Sequence, residues 1–278
     1  SGSRVWATYF GDSSAGAENI ASDGIGGIYI AGSIGTSTGG LATPGAFQTS
    51  VGAGFIAKFN TSGSRLWCTY FNGSIRDLDY DITGNIVVAG HTTDATGVAT
   101  TGTHQPSKPN ITTINDGFIA KFSLTGSRLW GTYYGPTTAG AGVINLYALT
   151  TDRSGNVYVS GSTNSPNGVA TTGAFKTAYV GPWGDAVIAK FDATGNRIWG
   201  TYYGGNPTVE EIWGLTADYK GNVYALGATS SNTDIATTGA YQTSLAGSQD
   251  VFMVEFDQNG NRLYGTYYGG NSGEQCTN

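Results

Sequence analysis

Apolar residues in this chain come in short bursts divided by glycine-rich turn text, and the bursts recur. GGIYIAGS at 26–33 returns as GNIVVAGH (84–91), GNVYVSGS (155–162) and GNVYALGA (221–228). FIAKF at 55–59 returns as FIAKF (118–122), VIAKF (187–191) and FMVEF (252–256). RVWATYFG at 4–11 returns as RLWCTYFN (65–72), RLWGTYYG (128–135), RIWGTYYG (197–204) and RLYGTYYG (262–269). The bursts are rich in Val, Ile, Tyr, Phe and Trp and too short for helices, so each reads as a β-strand. Glycine-bearing turn text separates them, led by Asp in DITGN, DRSGN, DYKGN and DATGN and by Ser in SLTGS, which is the chemistry of tight turns. No long segment has a helical period, so the expected class is all-β.

The anchors Trp6, Trp67, Trp130, Trp199 and Tyr264 stand 61, 63, 69 and 65 residues apart. Each period holds four strands, for example Leu146–Thr151, Asn156–Ser162, Ala186–Phe191 and Arg197–Tyr203, with a long ATTGA loop between the second and third. Tandem four-stranded antiparallel units predict a β-propeller. Blades pack face to face, which explains why VIAKF and IVVAG are apolar on both sides. The expected blades span about 12–71, 72–134, 135–203 and 204–268, with an extra N-terminal strand at 4–10 and a tail at 269–278.

These motifs resemble the bacterial beta-propeller repeat, often called the seven-bladed-propeller repeat. That family shares a D-x-x-G-N-x-Y-x-x-G strand, a T-x-G-A-[FY]-Q-T loop, an [FV]-[IV]-A-K-F strand and a closing L-[WY]-x-T-Y-[YF]-G-G strand. The resemblance covers nearly the whole chain. It implies the fold and a scaffold role in secreted or surface proteins, and it carries no catalytic motif.

The strand count does not close. Seven blades of this length need about 455 residues, and the chain has 278. Four copies of the first three strands stand against five copies of the fourth. The surplus strand, Arg4, Val5, Trp6, Ala7, Thr8, Tyr9 and Phe10, can pack locally, belong to a larger propeller of which this is a fragment, or be donated to a neighbouring subunit. A matching strand satisfies the unpaired N–H and C=O groups of an open edge, and head-to-tail donation builds a filament.

Composition narrows the function. Lys and Arg total 13 against 19 acidic residues, a net charge of −6, so no basic footprint for nucleic acid exists. No apolar run is long enough for a membrane helix. With 45 glycines, 12% charged residues and no initial methionine, the chain reads as a processed extracellular or cell-surface protein, or as a fragment. Its 6 Trp, 17 Tyr and 11 Phe exclude a disordered polymer.

Candidate chemistry is sparse. Cys68 and Cys276 can form one disulfide, within the chain or between copies. Asn60, Asn72 and Asn110 head N-x-[ST] sequons, candidate glycosylation sites in expected turns and loops. Trp183 and Trp213 break the repeat and are candidate glycan contacts. Asp77 with Asp79 and Glu210 with Glu211 are paired carboxylates, expected to be solvated strand ends. Asp116, Asp185 and Asp250 read as turn residues. The repeated arginines Arg4, Arg65, Arg128, Arg197 and Arg262 read as structural, pairing with a turn carboxylate or covering an aromatic. His91 and His104 lack the company of a catalytic triad. No metal or cofactor motif is present. The expected function is a non-enzymatic, extracellular structural protein that self-associates by strand donation. The alternatives are a glycan-binding adhesion module and a piece of a larger secreted scaffold.

Overall fold

A computed structural model describes residues 2–11, 14–37, 39–109, 113–180, 184–205 and 208–276. Among these residues there is no helix, and sixteen strands form four antiparallel four-stranded sheets. Blade 1 holds β1 (Ala15–Ser22), β2 (Ile28–Ile34), β3 (Gly54–Phe59) and β4 (Arg65–Phe71). Blade 2 holds β5 (Ser74–Tyr80), β6 (Ile86–Thr92), β7 (Asp116–Phe122) and β8 (Arg128–Tyr134). Blade 3 holds β9 (Ile144–Thr151), β10 (Val157–Thr163), β11 (Asp185–Phe191) and β12 (Arg197–Tyr203). Blade 4 holds β13 (Glu210–Ala217), β14 (Val223–Thr229), β15 (Asp250–Phe256) and β16 (Arg262–Tyr268). Strands follow one another in sequence order within every sheet.

The turn text does what its residues allow. Asp81 Oδ1 accepts from the backbone N–H of Thr83 at 2.8 Å and Asn85 at 2.9 Å, closing the turn between β5 and β6. Asp152 repeats the pattern with Ser154 and Asn156, and Asp218 with Lys220 and Asn222.

The hydrophobic cores lie between blades, not within them. Alternate residues of each third strand face opposite neighbours. Ile56 of β3 joins Phe118, Ala120 and Phe122 of β7 in one core. Ile119 joins Val187, Ala189 and Phe191, and Ile188 joins Phe252, Val254 and Phe256. We call these the trailing face of one blade and the leading face of the next. Packing runs from β1 to β5, β5 to β9 and β9 to β13, and among the described strands no packing of comparable extent returns from blade 4 to blade 1. The four blades form an open arc.

Outer-strand side chains lock each blade to the next. The indole N–H of Trp67 donates to Leu124 O at 2.9 Å, that of Trp130 to Ala193 O at 2.9 Å, and that of Trp199 to Gln258 O at 3.1 Å. The phenols of Tyr134 and Tyr203 donate to Val169 O at 3.1 Å and Ile235 O at 2.7 Å.

The repeated arginines tie down the long loops. Arg128 donates to Gly97 O and Val98 O, and Arg197 to Gly168 O and Val169 O, at 2.6–2.8 Å. Their guanidinium groups also cover aromatics of the preceding blade, Arg128 over Phe47 and Arg262 over Phe175. Loop carbonyls thus replace the expected turn carboxylates, while the aromatic cover is present.

Three expectations need correcting. Glu210 is not a solvated strand end: it is fully buried, and its Oε1 accepts from the hydroxyls of Thr208 and Thr229, each at 2.9 Å. Asp116, Asp185 and Asp250 are buried strand starts rather than turn residues. Asp185 pairs with Lys176 at 2.9 Å, and Asp250 accepts from Gln242 at 2.7 Å and Ala246 N at 3.0 Å, so each anchors the loop before its strand. Asp77 and Asp79 are not solvated strand ends. Asp77 accepts from Asn19 of blade 1, from Leu78 N at 2.8 Å and from Leu149 N of blade 3 at 2.6 Å. Asp79 accepts from Thr151 N and Oγ1, each at 2.8 Å. Inner strands converge there, so a carboxylate on β5 reaches the backbone of β9.

Candidate functional site

Two regions depart from the repeat: the two ends of the arc and the cavity on its axis. At the first end, residues 2–11 have no strand pairing among the described residues. Their side chains nevertheless sit as an outer strand's would. Phe10 packs on Phe55 and Phe59 with ring centroids 5.4 Å away, as Tyr203 packs on Phe252 at 5.2 Å and Phe256 at 6.0 Å. Phe10 thereby borders a fourth core, on the leading face of blade 1. Arg4 and Val5 are exposed, and Tyr9 is fully so.

The other end is bare. Met253 is 39% exposed, whereas its equivalents Ile56, Ile119 and Ile188 are at 0%. Tyr268 is 65% exposed, whereas Phe71, Tyr134 and Tyr203 are at 0%. Leu226, Tyr241, Val251, Met253, Tyr264 and Tyr268 line a shallow apolar depression of about 310 Å³ on this trailing face. Blade 4 also departs from the repeat here. Glu255 stands where Lys58, Lys121 and Lys190 pair with turn aspartates, and Tyr264 stands where the other outer strands carry Trp.

The axial cavity is built by a repeated irregularity. Every inner strand has a β-bulge at the same register. The unpaired residue is Glu18 in β1, Arg76 in β5, Tyr147 in β9 and Trp213 in β13. A bulge re-aims its side chain, and all four line one cavity of about 370 Å³. Each bulge stands opposite a glycine, Gly32, Gly90, Gly161 or Gly227, where a Cβ would collide with the bulged backbone. Neighbouring bulge residues pair. Arg76 and Glu18 meet at 3.0 Å, and the rings of Tyr147 and Trp213 stack at 4.3 Å and 8°. Glu211, Ala228, Gln249, Gln275 and Cys276 complete the lining. Burial pushes the Glu211 carboxyl and the Cys276 thiol above their usual ranges.

The sequence candidates scatter. Trp213 is in the axial cavity. Trp183 and Asn110 lie outside the described residues. Asn60 Oδ1 caps its own turn, accepting from Ser62 N at 3.0 Å and Ser64 N at 2.9 Å. Asn72 is wedged at the joint of blades 1 and 2, accepting from Gln48 at 2.6 Å and donating to Thr96 O at 3.4 Å. The cysteines do not form the bridge that the sequence allows within one chain. Both are free, Cys68 fully buried in an outer strand and Cys276 in the tail by the axis. Burial holds the Cys68 thiol at about 12. His104 packs against Tyr134 and Phe191, and burial lowers it to about 4. Glu18, Arg76 and Tyr147 went unnoticed in the sequence. The glycine inside each second strand was the available signal, because a strand glycine often marks a bulge.

Residues 129–168 match the Beta-propeller repeat. No curated protein matches the sequence. Among solved structures, a protein of unknown function from Bacteroides caccae is 11% identical, with 94% of this chain and 84% of that one covered and a TM-score of 0.41. A protein of unknown function from Dyadobacter fermentans is 12% identical, covering 88% and 66%, with a TM-score of 0.43. A GH43_12 protein from a capybara gut metagenome is 15% identical, covering 91% and 42%, with a TM-score of 0.40. The chain thus spans under half of that last structure.

Proposed function

We propose that this beta-propeller repeat protein is a non-enzymatic scaffold of the cell exterior that associates head to tail. Each copy donates Arg4–Phe10 to blade 4 of the next. The observation that carries this reading is that the segment presents outer-strand side chains to blade 1 while its backbone pairs with no strand, and that the trailing face of blade 4 lies bare.

The two surfaces are complementary by repetition. Three times within the chain a trailing face packs on a leading face. A second copy therefore brings to blade 4 the kind of surface its repeat is built to meet. In the joint, Arg4–Phe10 takes the place of β16 beside β15, in exchange with Arg262–Tyr268. Thr8 then stands opposite Met253, as Thr266 does in the single copy. Donation keeps the contacts of Phe10 within its own chain and gives its backbone the β15 hydrogen bonds that β16 makes in the single copy. Head-to-tail repetition that does not close into a ring builds a linear series.

The position of His104, held between two rings of the core, supports the non-enzymatic reading. Size-exclusion chromatography with light scattering tests the association. The full chain gives a series of multiples of the 28.7 kDa mass. Met253→Asp places a charge on the joint and gives single copies. A full chain that stays a single copy at every concentration overturns the reading.

A further inference from the structure

The four bulge positions are where the scaffold stops repeating. Equivalent sites in successive blades carry an acid, a base, a phenol and an indole: Glu18, Arg76, Tyr147 and Trp213. The residue before each bulge is apolar, Ala17, Ile75, Leu146 or Ile212, whereas the residue after it varies too, as Asn19, Asp77, Ala148 or Gly214. A periodic frame that holds four unlike side chains around one cavity has the form of a recognition site.

We propose that the axial cavity binds a neutral pyranose sugar, seated on Trp213 with its hydroxyls on Glu211, Gln249 and Gln275. Tyr147 covers one face of the indole, so the surface that Trp213 keeps toward the cavity belongs to its other face and edges. The hydroxyl of Tyr147 is held by Ser162 Oγ at 3.1 Å, which fixes the stack. An indole face fits the C–H face of a pyranose, and the surrounding polar groups fit its rim of hydroxyls. Glu211 supplies acceptors, and the two carboxamides supply both donors and acceptors.

Charge selects among sugars. Glu18 neutralises Arg76 at 3.0 Å, which leaves Glu211 as the uncompensated charge of the lining. An acidic sugar or a phosphate would meet a carboxylate without a free cation. A quaternary ammonium is disfavoured for a different reason. It needs rings arranged as a cage, whereas here the two rings are stacked on each other.

The test is calorimetric titration of the full chain with the methyl glycosides of glucose, galactose, mannose and N-acetylglucosamine. Glucuronate and tetramethylammonium are the comparison probes. At least one neutral glycoside binds saturably in the millimolar range. Affinity falls about tenfold or more in Trp213→Ala and also falls in Glu211→Gln. It is retained in Trp213→Phe, which keeps a stacking ring, and in Tyr219→Ala, an exposed turn aromatic remote from the cavity. Near-ultraviolet circular dichroism confirms that each variant is folded. Should Trp213→Ala fail to fold, Glu211→Gln and Trp213→Phe carry the same decision. Absence of saturable binding by all four glycosides overturns the proposal. So does binding that is indifferent to Trp213→Ala and Glu211→Gln, or a preference for glucuronate or tetramethylammonium.

Discussion

The indole of Trp6 lies against Gly63, where a Cβ would come within 2.7 Å of the ring. The same relationship joins Trp67 to Gly126, Trp130 to Gly195 and Trp199 to Gly260, each glycine closing a turn of the following blade with φ between 78° and 86°. An N-terminal segment without strand pairing thus makes the same joint as three paired outer strands. Trp6→Ala should therefore destabilise blade 1 by about 2 kcal/mol, below the range of fully buried aromatic truncations because Trp6 is only partly buried. Denaturant melts of the wild type and variant check this.

The carboxylate of Asp77 ties three blades together through Asn19, its own strand and Leu149. Asp77→Ala leaves a buried backbone N–H without its acceptor. The expected cost is about 2 kcal/mol or more, read as a lower unfolding midpoint. An unchanged midpoint would show that the clamp is dispensable.

Stability should rise on mild acidification. Burial pushes Asp77 up to about 7 and Asp116 to about 6, from 3.8. The folded chain holds these protons more tightly than the unfolded one. Their contribution is complete below the unfolded value and is lost as pH rises through about 6 to 7. His104, lowered from 6.5 to about 4, works in the opposite direction, since its contribution is lost as pH falls below 6.5. Between about pH 8 and 6.5 the carboxyls act alone, so Tm increases over that window. Asp77→Asn reduces the increase.

Equivalent tyrosines should respond unequally. Tyr203 donates its phenol to Ile235 O of the next blade at 2.7 Å, whereas no described blade follows Tyr268. Tyr203→Phe costs about 1 kcal/mol, and Tyr268→Phe leaves the stability of a single copy within about 0.5 kcal/mol. Equal losses would contradict the open trailing face.

Legibility in the sequence followed periodicity. Trp67, Trp130 and Trp199 recur at one slot, and the strands, turns and joints they mark are where the spacing put them. What escaped was what periodicity ignores. The bulge residues Glu18, Arg76, Tyr147 and Trp213 differ from blade to blade, so comparison of copies passed over three of them and took Trp213 alone as an oddity. The role of Asp77 depends on partners 58 and 72 residues away, on strands that only the curvature of the arc brings together. A single strand viewed by itself makes that residue look like a solvated end.

The central claim, that Arg4–Phe10 takes the place of β16 in blade 4 of another copy, is tested most directly by a cysteine pair at Thr8 and Met253 in a Cys276→Ser background. Cys68 is fully buried and does not compete. Oxidation of the Thr8→Cys, Met253→Cys chain should give a ladder of dimers, trimers and longer products on a denaturing gel. Either single variant should give at most dimers. A product that stays monomeric under the same oxidation would contradict strand donation between copies.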